Sequence, residues 1–219
     1  MNKFSRRDIV MGTGTLAITA CTTSTQGDMS VKTMVVSDAA DGQREEEQLT
    51  SEYKPQLGWG HININVRNLD RSIEFYRKLG FEIFIPSIPY LGLTAGSDAK
   101  PLGGDSATAL GIEQGKRGRA CIMQLNEGFP KIDLTEFADL EQSPPLQNSD
   151  LGLVRICLIT EDLVGDVTHL KAQGVEFVSD PQTGHADLAD LAVCKDPDGT
   201  LIELLQVYLD RWEPFLGAD

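Results

Sequence analysis

The feature that most constrains this chain is an internal repeat. Residues 66–84, VRNLDRSIEFYRKLGFEIF, align without a gap on residues 160–178, TEDLVGDVTHLKAQGVEFV, at an offset of 94. Leu69 falls on Leu163, Ile73 on Val167, Gly80 on Gly174, Phe81 on Val175 and Glu82 on Glu176. Each copy reads as strand, amphipathic helix, glycine stop and strand, which predicts two copies of one unit around a shared core. With 219 residues and 41% hydrophobic content, the chain has the material to fill such a core.

The pattern extends on both sides of the repeat. From His61 to Arg67 the residues alternate, with Ile62, Ile64 and Val66 on one face and His61, Asn63 and Asn65 on the other, the period of a strand. Asn68 or Asp70 is the predicted helix cap, Leu69, Ile73 and Tyr76 the buried stripe, and Gly80 the left-handed stop. Packing the apolar face on that helix turns His61 to the opposite side of the sheet. Residues 81–85 follow as a strand, and Pro86 to Asp105 reads as a long loop rich in Gly, Pro and Ser. Residues 106–113 and 118–125 read as a hairpin, and Lys131 to Phe137 closes the first module. In the second module Val154, Ile156 and Leu158 alternate with Arg155, Cys157 and Ile159; Thr160 is the predicted cap, and Leu163, Val167 and Leu170 the stripe. Strands are expected at 175–178, 188–195 and 201–207, with a tight turn at Asp196-Pro197-Asp198-Gly199. The folded part is thus residues 57–210, as modules 57–140 and 150–210, with 211–219 a tail.

The region before residue 57 is different in kind. Residues 1–21 read as an export signal, because Arg6-Arg7 precede a short, weakly apolar run. Ser5-Arg6-Arg7-Asp8-Ile9-Val10 resembles the twin-arginine motif, and Ile18-Thr19-Ala20-Cys21 resembles a lipobox, which implies lipidation at Cys21. Residues 22–56 are polar and charged, with the run Arg44-Glu45-Glu46-Glu47, and read as a flexible linker. The expected location is outside the cytoplasm, periplasmic or lipid-anchored, and a membrane is met only through Cys21. The net charge of −14 leaves no basic face for a nucleic acid. The four cysteines, at 21, 121, 157 and 194, show no metal spacing and are too sparse for a disulfide scaffold.

Two stretches carry a resemblance to a known family. HININVRNLDRSIEFY from His61 and DPDGTLIEL from Asp196 resemble the vicinal-oxygen-chelate superfamily, which includes glyoxalase I, extradiol dioxygenases, methylmalonyl-CoA epimerases and bleomycin-resistance proteins. The resemblance covers residues 57–210 and implies an α+β fold of two paired βαβββ modules whose sheets form one cup. It also implies a divalent metal, held from the start of each module's first strand and from a carboxylate on each last strand. Those positions map to His61 and Arg155, and to Asp133 and Glu203. Strand parity agrees, since Asp133 lies between Ile132 and Leu134 as Glu203 lies between Ile202 and Leu204, whereas Glu136 has the other parity.

Arg155 departs from the pattern. A guanidinium has no lone pair for a metal and keeps its charge at any working pH. The preferred expectation is therefore no cofactor: Arg155 stands in for the metal and pairs with Asp133, Glu203 or an anionic group of a ligand. A metal on His61, Glu203 and Asp133 stays the open alternative. Asn63, Asp133, Cys157 and Tyr90 are the expected ligand-binding residues, and His61, Glu203 and Arg155 the expected catalytic ones. Three functions compete. The first is lyase- or isomerase-type proton transfer on a small oxygenated metabolite, with His61 or Glu203 moving the proton and Arg155 stabilising an oxyanion. The second is non-catalytic binding of a small molecule, like the bleomycin-resistance proteins. The third is a metal-dependent dioxygenase, which an arginine in place of a histidine disfavours. A homodimer is a further expectation.

Overall fold

The computed structural model describes Lys54 and residues 56–96, 98–139 and 143–215. The predicted export signal at 1–21, Cys21 and nearly all of the linker at 22–56 lie outside the described residues. The described residues from Leu57 onward form one compact unit.

The first module runs β1 (His61–Asn65), α1 (Leu69–Lys78) and β2 (Glu82–Ile85). It continues through the short strands β3 (Ser87–Ile88), β4 (Leu93–Thr94) and β5 (Lys100–Pro101), helix α2 (Gly104–Ala109), and the long strands β6 (Arg117–Gln124) and β7 (Lys131–Phe137). The second module runs β8 (Arg155–Ile159), α3 (Leu163–Ala172), β9 (Glu176–Phe177), β10 (Gln182–Thr183), β11 (Ala189–Lys195) and β12 (Leu201–Val207). The sheets are ordered β1-β7-β6-β2 and β8-β12-β11, with β9 and β10 both on β11 and β5 on β6. In each sheet the first strand pairs parallel with the last: Asn63 faces Asp133 in one, and Cys157 faces Glu203 in the other. The two modules are therefore βαβββ units with the same strand order.

Helix starts repeat as closely as the strands do. Asn68 accepts from the Arg71 amide and Asp162 from the Gly165 amide, at matched positions of α1 and α3. The first helical amide of each is taken by a side chain from its own module's last strand: Leu69 by Glu136 at 2.6 Å, Leu163 by Gln206 at 3.0 Å. These bonds satisfy donors that a helix start leaves open. The cap expected at Thr160 is thus Asp162; the Thr160 hydroxyl instead accepts from the Asp162 amide, bracing the cap. Gly80 and Gly174 both stop their helices at positive φ, +89° and +80°.

The helix-facing sides of both sheets share one core, in which Ile64, Val66, Tyr76 and Leu134 pack with Ile156, Val167, Ile202 and Leu204. A clasp at the turn 196–199 also joins the modules. Asp198 accepts from the Arg67 amide and the Arg71 guanidinium, and the Tyr76 hydroxyl donates to Asp196.

The expected hairpin at 106–113 and 118–125 is not formed. Residues 104–109 are helical, and β6 pairs with β7 instead. Residues 86–105, expected as a long loop, pack together with 106–116 on the face of the first sheet turned away from α1. Ile88, Leu91, Leu93, Leu102 and Ala107 make a second core there with Ala120, Ile122 and Phe137. The glycines and prolines of this stretch serve its turns, while its apolar residues have no regular spacing and find their order only against the sheet. No described helix is long and apolar enough to cross a membrane.

Candidate active site

On the face of the first sheet away from α1, strand parity sets His61 and Asn63 of β1 beside Asp133 and Thr135 of β7. Asp133 is almost fully buried, at 1% exposure, while the His61 side chain is 44% exposed. His61 Nε2 lies 3.5 Å from Asp133 Oδ2, and the Tyr90 hydroxyl donates to the same oxygen at 3.2 Å. Tyr90 comes from the insert that covers the sheet, and its ring stacks along His61 with centroids 6.4 Å apart. Asp133 Oδ1 is buried with no partner. Burial pushes the Asp133 carboxyl above its ordinary range, and His61 and Tyr90 offset part of that rise. The Tyr90 phenol is raised too, by burial and then by the Asp133 charge.

A cavity of about 220 Å³ opens over this group. Its polar edge is His61, Asn63, Asn65 and Thr135, and its apolar wall is Leu91, Leu110, Ile112 and Phe137, with Tyr90 between them. Thr135 donates to the Asn63 carbonyl oxygen and Asn63 donates to Asn65, each at 3.0 Å, so the amides stand in a fixed ladder. A larger cavity of about 300 Å³ lies elsewhere, near Arg67 and Asp198, but those two charges are spent on each other.

The second sheet brings together the other expected residues. Arg155 donates through Nε to Glu203 at 2.6 Å and through a terminal nitrogen to Asn148 at 3.1 Å. Cys157 is exposed beside them, its thiol raised by burial of the sulfur and by the Glu203 charge, with Arg155 opposing. Cys121 and Cys194 are buried, their thiols both pushed up to about 12. The expected residues thus form two couples, His61 with Asp133 and Arg155 with Glu203. Glu136 holds the α1 amide and Arg119, on the other face, as its parity requires. Thr135, Asn65 and Phe137 were not among the expected site residues, although all three share the parity of His61 or Asp133.

Residues 58–204 match the family model of the Glyoxalase/Bleomycin resistance protein/Dioxygenase superfamily. The chain belongs to this superfamily. A glyoxalase family protein from Bacillus cereus has the same fold, with a TM-score of 0.56 at 19% identity over 71% of this chain and 97% of that one. Glyoxalase I from Zea mays is similar at a TM-score of 0.45 and 16% identity, over 67% of this chain and 43% of that one. A 4-hydroxyphenylpyruvate dioxygenase of Aspergillus fumigatus is 27% identical over 124 residues. That match takes in 55% of this chain, which spans only 27% of the dioxygenase.

Members of the superfamily often bind divalent metals. Here the donor set does not fit one: Glu203 is engaged by Arg155, and among the described residues no three His, Cys, Asp or Glu side chains group as ligands.

Proposed function

We propose that this protein is an exported, small-molecule-binding member of its superfamily that moves a proton on an oxygenated metabolite, with His61 as the base. The observation that carries the reading is a half-exposed imidazole set against a buried carboxylate at the edge of a cavity. His61 Nε2 faces Asp133, which leaves Nδ1 for the substrate. An imidazole that accepts a proton becomes a cation, and Asp133 at 3.5 Å stabilises it. Tyr90 holds the carboxylate in place for that step. The amide ladder offers N–H donors to a substrate oxygen on which charge grows as its neighbouring C–H is deprotonated. Arg155 and Glu203, expected to be catalytic, have a structural part in this scheme, as an ion pair on the second sheet.

The test is solvent deuterium exchange into dihydroxyacetone and hydroxyacetone, with His61→Ala as control. General-base removal is expected to cost roughly 10²–10⁴-fold in rate. Exchange that survives in His61→Ala defeats the assignment. The second reading, a binder without turnover, is favoured by the closure of Arg155 on Glu203, which leaves His61 without an acid partner of comparable exposure. It predicts a raised melting temperature with a ligand that is not turned over.

A further inference from the structure

We infer that the cavity beside His61 selects uncharged, oxygen-bearing molecules of triose or single-ring size and rejects carboxylates and phosphates. The inference rests on the reading of that cavity as the substrate site, and names what it takes.

Charge is the first ground. Asp133 lies buried behind the lining residues His61 and Tyr90, with Oδ1 unpartnered, and no lysine or arginine is among the described residues that line the cavity. The nearby cations of the first sheet are engaged elsewhere. Lys131, on the same face as Asp133 and in register with His61, has its ammonium between the Phe84 and Phe129 rings, at 4.8 and 4.9 Å, and donates to Gln124. Arg119 is held by Asp70 and Glu136 on the opposite face, and Arg117 donates to the Ala99 carbonyl. Arg155, whose fork the sequence offered to an anionic ligand, is spent on Glu203 and Asn148. An anion entering this cavity loses its water, finds no lysine or arginine to pair with, and lies near the Asp133 carboxylate behind the wall.

The polar edge points the same way. Asn63 uses its carbonyl oxygen on Thr135 and an N–H on Asn65, so what remains is neutral amide N–H. Such donors match a hydroxyl or carbonyl oxygen, but a few of them do not offset the desolvation of a full charge. Size is the last ground. A volume of about 220 Å³ equals roughly seven waters at ~30 Å³ each. It falls below the ~300 Å³ at which drug-sized sites begin. The apolar wall from the insert then suits the carbon side of a small ring or hydroxyketone.

Charge selection can be read without knowing the substrate. Asn65→Cys places a thiol on the polar edge, and iodoacetamide and iodoacetate are alkylating agents of similar size that differ in charge. The exposed Cys157, beside Arg155, is the reference within the same chain, and peptide mass spectrometry separates the two positions. The iodoacetamide-to-iodoacetate rate ratio at position 65 is expected to exceed that at Cys157 by about tenfold, as a nearby buried carboxylate in a medium of intermediate dielectric would give. Adding Asp133→Asn is expected to bring the two ratios together. Equal ratios in the Asn65→Cys protein, or a ratio indifferent to Asp133→Asn, overturn the proposal. If Asn65→Cys does not fold, Leu110→Cys on the opposite wall, where the native side chain is 55% exposed, makes the same measurement. Alkylation reads the field in the cavity whether or not anything is turned over. A failure here is therefore distinct from a failure of the His61 exchange test.

Discussion

In the first module, the sheet face turned away from its helix holds His61, Asn63, Asp133 and Thr135 under an insert of some thirty residues. The same face of the second module holds Arg155, Cys157, Glu203 and Leu205, and the chain between β9 and β11 is too short to cover it. Asp133 is buried there, while Ile159, at the end of β8, is 77% exposed. Leu191, Val193, Leu205 and Val207 are only partly buried. One backbone plan thus carries two surfaces. Cover raises the pKa of the Asp133 carboxyl and sets His61 and Tyr90 against it. Without cover, the equivalent carboxylate keeps an arginine as its partner and solvent within reach.

The comparison breaks most visibly in stability. Ile88, fully buried between the insert and the first sheet, is expected to cost about 2–5 kcal/mol on truncation to alanine. Leu205→Ala, on the less covered face of the second sheet, is expected to cost less, about 1–2 kcal/mol, because part of its surface stays in water. Urea unfolding of both variants measures the pair. Similar losses would mean that the second face is covered in solution.

The repeated parts of the fold were legible because their rules are local. Alternation along β1 and β8, the apolar stripes of α1 and α3, and Gly80 and Gly174 each announce themselves within a dozen residues. β7 and β12 run at 131–137 and 201–207, as their patterns require. The insert was not legible: Ile88, Leu91, Leu93 and Leu102 belong together only because a sheet built from residues far along the chain collects them. The site was half legible. Parity put His61 and Asp133 on one face and Arg155 and Glu203 on its counterpart. Which of the four would touch depended on distances that no spacing rule supplies, and the link from Tyr90 to Asp133 crosses from the insert to β7.

A smaller effect separates the modules by pH. Burial raises the Asp133 pKa above the ordinary 3.8, so the folded state holds that proton more tightly than the unfolded chain does. The associated stability is present below 3.8 and is lost as pH rises through the raised folded value. Asp133→Asn removes the titration, so its stability relative to the native protein should improve between pH 4 and pH 7. Urea midpoints at the two pH values test this. A relative loss over the same interval would show Asp133 to be a carboxylate that the fold favours charged.

Arg155→Ala should cost less again, at most about 1 kcal/mol, since its side chain is 39% exposed and surface ion pairs are worth little. A loss of several kcal/mol would mean that Glu203 becomes stranded, and that the second face is drier than its exposure implies.

The smallest expected effect is the response to metal. A tightly held divalent ion takes several ligands at once, and stabilises a protein in proportion to the logarithm of its concentration over its dissociation constant. His61 and Asp133 supply two donors in one module, while Glu203 in the other answers to a guanidinium. Neither a chelator nor added zinc, nickel or manganese should therefore move the melting temperature by more than about 1 °C, the shift that a fraction of a kcal/mol gives in a domain of this size. A rise of several degrees that disappears in His61→Ala would sharpen the comparison into its opposite. It would mean that an ion pulls Glu203 away from Arg155, and that the two modules, so differently covered, close on a single site.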